Sequence, residues 1–141
     1  MGLPPVAETA RAVSLSFMRE GERPLVLLGS TLAGFAVLLG AFGAHALKGR
    51  IGADALGWWQ TAVQYQMWHA LAVLGLGLAG AGWARPAGWL LAAGAMLFSL
   101  SLYALALGAP HWIGALTPIG GLAMICGWIL LAWRAARSRR G

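Results

Sequence analysis

From Pro24 to Trp133 the chain carries only four charged side chains: Lys48, Arg50, Asp54 and Arg85. Everything else in that stretch is apolar, small or uncharged. A water-soluble domain needs charge spread over its surface, and about a quarter of its residues usually supply it. Here charged residues make up 10% of the chain and hydrophobic ones 60%, so the medium that suits the outside of this stretch is lipid. The expected fold class is all-α, an integral membrane bundle of four antiparallel helices in one domain.

The first span is expected from about Leu25 to Leu47, long enough for a ~30 Å hydrocarbon core. Pro24 fits its first turn, where the missing N–H costs nothing. Arg23 and the small-x-small run Ala44-His45-Ala46 also resemble a secretory signal. The apolar stretch exceeds the roughly 7–15 residue core of such signals, so an uncleaved helix is expected. Lys48 to Trp59 reads as a short amphipathic connection, with Ile51, Leu56 and the Trp58-Trp59 pair at headgroup depth.

The second span is expected from Gln60 or Thr61 to Trp83, and Ala84-Arg85-Pro86 is a tight connector. The third runs from about Ala87 to Leu107. Gly108 to Trp112 breaks the chain again, and the fourth runs from Ile113 to Trp133 with Pro118 in its first turns. The chain thus divides into a cytoplasmic arm at 1–23, a four-span domain at 24–134 and a basic tail at 135–141. The arm has adjacent prolines, three of the four acids and no long apolar run. Met18 stands just before the first span as an alternative start.

Four spans put both termini and the second connection on one side. That side holds Arg11, Arg19, Arg23, Arg85, Arg134, Arg137, Arg139 and Arg140, against Lys48 and Arg50 opposite. By the positive-inside rule both ends face the cytoplasm. The same placement, cations flanking apolar runs, explains the net charge of +6 and argues against nucleic acid as a partner. Cys126, the single cysteine, can form no internal disulfide and reads as a small buried hydrophobe. Small residues at four-residue spacing suit close helix contact. Ala36-x-x-x-Gly40-x-x-x-Ala44 is the longest such ladder; Gly29/Ala33, Gly88/Ala92 and Thr117/Gly121 are shorter ones.

Nothing in the chain matches a nucleophile elbow, a phosphate-cradling loop or a His-Glu-x-x-His pair, and no carboxylate lies inside a span. The spans do hold an uneven set of polar side chains. The outer half receives His45, Gln60, Thr61, Gln64, Tyr65, Gln66, His69, Ser99, Ser101, Tyr103 and Thr117, and the inner half only Ser30, Thr31 and Cys126. His45, Gln64, Tyr65 and His69, facing Ser99, Tyr103 and Thr117, are expected to form one hydrogen-bonded network with neutral histidines. Two interpretations stand side by side: interhelical ties of about 0.6–2 kcal/mol each, or a ligand-binding cluster. His45 and His69 sit at depths differing by roughly 8–9 Å at 1.5 Å per residue, which argues against a haem or metal shared between them. No cofactor is expected.

Four stretches carry a family resemblance: Gly40-Ala-Phe-Gly-Ala-His-Ala-Leu47, Thr61-Ala-Val-Gln-Tyr-Gln-Met-Trp-His-Ala70, Phe98-Ser-Leu-Ser-Leu-Tyr103 and Gly114-Ala-Leu-Thr-Pro-Ile-Gly-Gly121. In this order they resemble the YgdD/YwdK-like family of small multi-pass membrane proteins, over about residues 25–133. The resemblance implies the four-span fold and a bacterial plasma-membrane location; the family label, unknown function, implies no substrate or catalytic residue. The function expected is a non-enzymatic structural, accessory or partner-binding bundle. A small oligomeric transporter or channel subunit is the alternative. The expected partners are the lipid bilayer and a second copy or other membrane proteins.

Overall fold

The computed structural model describes residues 23–138. The arm before Arg23, and Arg139 and Arg140 of the tail, lie outside the described residues. Helix α1, Arg23–Phe42, passes directly into a π-helical turn, Gly43–Leu47. Helix α2 is Ala53–Leu78, and a 3-10 turn at Gly82–Ala84 leads into α3, Arg85–Ala106. A second 3-10 turn, His111–Ala115, leads into α4, Leu116–Ser138. No strand occurs among the described residues.

Each reversal turns on a glycine in the left-handed region: Gly49 at φ 81°, Gly80 at 63° and Gly108 at 89°. Side-chain-bearing residues rarely adopt that conformation, so these positions end the helices where apolar periodicity alone would not. The first connection is shorter than expected. Gly52 is extended at the N-cap of α2 and Asp54 lies in its first turn, where a carboxylate offsets the exposed N–H groups. The helix therefore begins at Ala53, and the amphipathic segment expected up to Trp59 is already helical. The Trp58-Trp59 pair is split accordingly: Trp58 is exposed, whereas Trp59 is buried. Helix α2 also stops at Leu78 rather than Trp83, and α4 continues past Trp133 to Ser138. Pro118 sits within the first turn of α4, where its missing donor leaves no broken bond.

The helices pack in chain order, α1 on α2, α2 on α3 and α3 on α4. Helices α1 and α3 meet lightly, and α1 and α4 share no packed interface. The four antiparallel helices thus form a staggered row, with α1 and α4 at its edges. Small residues make the contacts. A Cβ built on Gly29 would lie 2.6 Å from the Leu74 backbone, one on Gly94 2.8 Å from the Met124 nitrogen, and one on Gly120 2.5 Å from the Phe98 nitrogen. Large side chains face outward, with Leu27, Leu100 and Leu122 among the most exposed, while Ala36, Ala62, Ala70 and Ala87 are fully buried. Small inside and large outside is the arrangement for a lipid solvent, where close backbone approach replaces the hydrophobic drive.

Three stretches, Arg23–Leu47, Gly82–Ala106 and His111–Arg137, are long and apolar enough to cross a membrane. Helix α2 has 26 residues, about 39 Å, so length does not separate it from the others. Its glutamines and histidine lower its hydropathy.

Candidate functional site

Helix α2 carries most of the polar groups, and its buried face repeats at helical spacing: Trp59, Ala62, Gln66, His69, Val73 and Gly77. That stripe decides which polar side chains reach a neighbour.

Nearest the first reversal, the Trp59 indole donates to the Leu39 carbonyl of α1 at 2.9 Å. Its ring lies 4.5 Å from the Tyr103 ring and 5.7 Å from Phe42. Gly43, opening the π turn, makes room for it, since a Cβ there would stand 2.6 Å from the indole Cδ1.

Deeper along α2, Gln66 joins three helices. Its amide nitrogen donates to the Leu32 carbonyl of α1 at 2.9 Å, and its Oε1 accepts the Tyr103 hydroxyl of α3 at 3.1 Å. One turn away on the same face of α3, Ser99 donates to the Ala62 carbonyl at 3.0 Å. Ser101 donates to the Phe98 carbonyl at 2.8 Å and stands 2.7 Å from the Thr117 hydroxyl of α4. With the single Ser101 proton engaged, Thr117 is the donor in that pair.

His69 lies buried between α2 and α4. Its Nδ1 is 2.8 Å from the Tyr65 carbonyl, and its Nε2 is 3.3 Å from the Trp128 indole nitrogen. A carbonyl only accepts and an indole N–H only donates. The two bonds together fix a neutral ring with its proton on Nδ1. Tyr65 stacks on this imidazole at 6.0 Å and meets the Phe98 ring, tilted by 30°, at 4.6 Å. Both His69 nitrogens are in use, leaving no lone pair for a metal.

Of the seven expected cluster residues, Tyr65, His69, Ser99, Tyr103 and Thr117 lie at helix interfaces. His45 and Gln64 do not: both are exposed and take no hydrogen bond among the described residues. Gln64 is two residues from Gln66, a rotation of about 200° at 3.6 residues per turn, so burying one turns the other out. His45 projects outward from the π turn. The single network therefore resolves into separate ties centred on Trp59, Gln66, Ser99, Ser101 and His69. The seven-residue cluster omitted Gln66 and Ser101, which the wider outer-half set held, and Trp59 and Trp128, which that set did not. The spacing Trp59, Ala62, Gln66, His69, with two small or apolar continuations at Val73 and Gly77, was the signal for the first of these. Trp128 gave none, because nothing local distinguishes it from the other outward indoles.

Because α1 and α3 barely touch, an open groove runs between them over α2, with a volume of about 350 Å³. Leu28, Leu32, Phe35 and Leu39 form one wall and Met96 and Leu100 the other; Gln66 and Tyr103 lie at its floor, bonded to each other. The corresponding space between α2 and α4 is bridged by His69 and Trp128. A shallower cavity of about 230 Å³ beside Trp59 is lined by Gly40, Gln60 and Gln64.

The family model described as "Protein of unknown function (DUF423)" matches residues 39–121. The chain is 46% identical over 117 residues to the UPF0382 membrane protein YwdK of Bacillus subtilis, covering 79% of this chain and 95% of the relative. It is 42% identical over 120 residues to the UPF0382 inner membrane protein YgdD of Escherichia coli K12, covering 82% and 92%. A Staphylococcus saprophyticus relative, the UPF0382 membrane protein SSP2132, is 44% identical over 112 residues, covering 75% and 91%. No solved structure matches. These names describe a membrane location and no reaction. Similarity of this level, along nearly the whole length of each relative, places the chain in the UPF0382 (DUF423) family of membrane proteins.

Proposed function

We propose that this protein is a non-enzymatic binding module of the bacterial plasma membrane, and that it holds one hydrocarbon chain in the groove between α1 and α3. The groove is the observation that carries this: an apolar channel of about 350 Å³, open sideways. From Leu28 to Leu39 it follows α1 for roughly 16 Å at 1.5 Å per residue. The buried polar side chains support a binding rather than a catalytic role. Gln66, His69, Ser99 and Ser101 are each committed to a carbonyl or to another side chain, so none of them is left to attack a substrate or move its proton. All four helices cross the bilayer with both ends in the cytoplasm. Helix α2 is held between α1 and α3 along its length, and the cationic residues Arg23, Arg85, Arg134 and Arg137 share one end.

The test is mass spectrometry of lipid retained by the gently purified protein, compared with Leu100→Trp and Leu32→Trp, which fill the groove. One retained lipid per chain, lost in both variants and regardless of headgroup, supports the proposal. Retention unchanged by both would defeat it. Solute flux in proteoliposomes, blocked by the same substitutions, would favour the transporter alternative instead.

A further inference from the structure

We infer that the arginine-rich end carries a second, separate binding site: a phosphate site for the headgroup of an anionic phospholipid, formed by Arg134 and Arg85 between the start of α3 and the last turns of α4. The 3-10 turn Gly82–Ala84 packs against α4, and there Arg134 Nη1 donates to the Trp83 carbonyl at 2.9 Å. This bond fixes the guanidinium. Its Nε–H, however, is buried and has no hydrogen-bond partner. A buried, unpaired donor on a permanent cation is costly, and an anion that draws the side chain toward its oxygens lets that donor be satisfied.

Only an anion meets the charge as well. Arg85, two residues past Trp83 and exposed, opens α3. Arg137, one turn beyond Arg134, holds its guanidinium 4.1 Å over the Trp133 ring. The one acid among the described residues, Asp54, lies at the opposite end of the molecule, in the first turn of α2. Arg85, Arg134 and Arg137, all toward the other end, thus have no carboxylate beside them among those residues. Phosphate oxygens match the forked donors of arginine, and basic pockets between membrane helices on the cytoplasmic side take anionic headgroups.

Inorganic phosphate has the same oxygens, but the surroundings favour a lipid. Trp83, Trp89 and Trp133 are exposed around the site, and indoles settle at the headgroup boundary, where an attached acyl chain finds apolar wall. The site lies on α3 and α4, away from the α1 edge of the groove, and does not depend on that groove being a ligand site.

The experiment measures the thermal midpoint of the full-length protein in a neutral detergent, with added phosphatidylglycerol, phosphatidylcholine or inorganic phosphate. The expected result is a rise of a few degrees with phosphatidylglycerol alone, shrinking in high salt and lost in Arg134→Gln. If Arg134→Gln fails to fold for want of its Trp83 bond, Arg85→Gln, which ties no other segment, is expected to lose at least half of the rise. Leu100→Trp, in the groove, is expected to keep the difference between the two lipids. Equal effects of the two lipids, a rise reproduced by inorganic phosphate alone, or a full rise in both arginine variants would each overturn the inference.

Discussion

Gln66 and Gln64 are the same residue type one step of alternation apart, and the structure gives them opposite fates. Gln66 spends its amide on α1 and its carbonyl on the Tyr103 hydroxyl; Gln64 is exposed. Residues that share a tie should act together, and residues in different ties should not. Tyr103→Phe and Gln66→Leu are each expected to lower stability in detergent by about 0.6–2 kcal/mol, with the double variant losing clearly less than the sum. Tyr103→Phe combined with Thr117→Val, which removes the separate Ser101 bond, is expected to be additive, and Gln64→Ala silent. Thermal or denaturant midpoints of the set decide this. A costly Gln64→Ala, or strict additivity of Tyr103→Phe with Gln66→Leu, would count against the assignment. The residue types at the site were legible in the sequence, because polar groups are rare in an apolar span. Their partners were not: three of the ties run to backbone carbonyls of another helix, Leu32, Leu39 and Ala62, and a carbonyl leaves no mark in a residue pattern.

At the scale of elements, glycine sets how close the helices come. Gly94 of α3 and Gly120 of α4 meet each other's helix backbone, so neither neighbour can yield by turning a side chain. Gly120→Ala is expected to cost about 1–3 kcal/mol, the range for overpacking a tight contact. Gly34→Ala and Gly75→Ala meet nothing within 4 Å and should leave stability unchanged or raise it by up to about 1 kcal/mol, as the helix gains a better former. The same midpoints check this, and equal effects at Gly120 and Gly34 would contradict the packing. The ladder Ala36-x-x-x-Gly40 does face α2: Ala36 is fully buried and Gly40 approaches Val63. Between α3 and α4, the spacing pointed to Gly121, whereas Gly120 makes the backbone contact. With glycines side by side, spacing cannot choose until the register of the partner helix is known. The helix starts were missed for a related reason. Ala53, Ala55 and Leu56 suit a helix as well as a membrane-surface segment, and only the extended Gly52 before them marks the boundary.

For the whole molecule, number and order of helices followed from where charge is missing, and where charge remains gives the expected orientation. Reporter fusions after Arg137 are expected to be active only in the cytoplasmic format, and fusions at Gly52 or Pro110 only in the external one. A C-terminus found outside would mean an odd number of crossings and would move Arg134 to the other leaflet. The staggered row itself could not be read from the sequence. Periodicity shows that a helix has a packed face, but α2 and α3 each have two neighbours while α1 and α4 each have one, and that difference appears only once all four are assembled.

The brevity of the three reversals has its own consequence. Outside the helices, the described chain offers only residues 48–52 and 107–110 at one end, followed by the 3-10 turn His111–Ala115, and residues 79–84 at the other. A stable contact with a soluble protein engages roughly 20–30 residues on each side. Seen from either aqueous compartment, then, this part of the molecule is nearly blank. An antibody or cytosolic regulator has little to grip there, and whatever recognises these helices must approach within the plane of the bilayer, along their flanks.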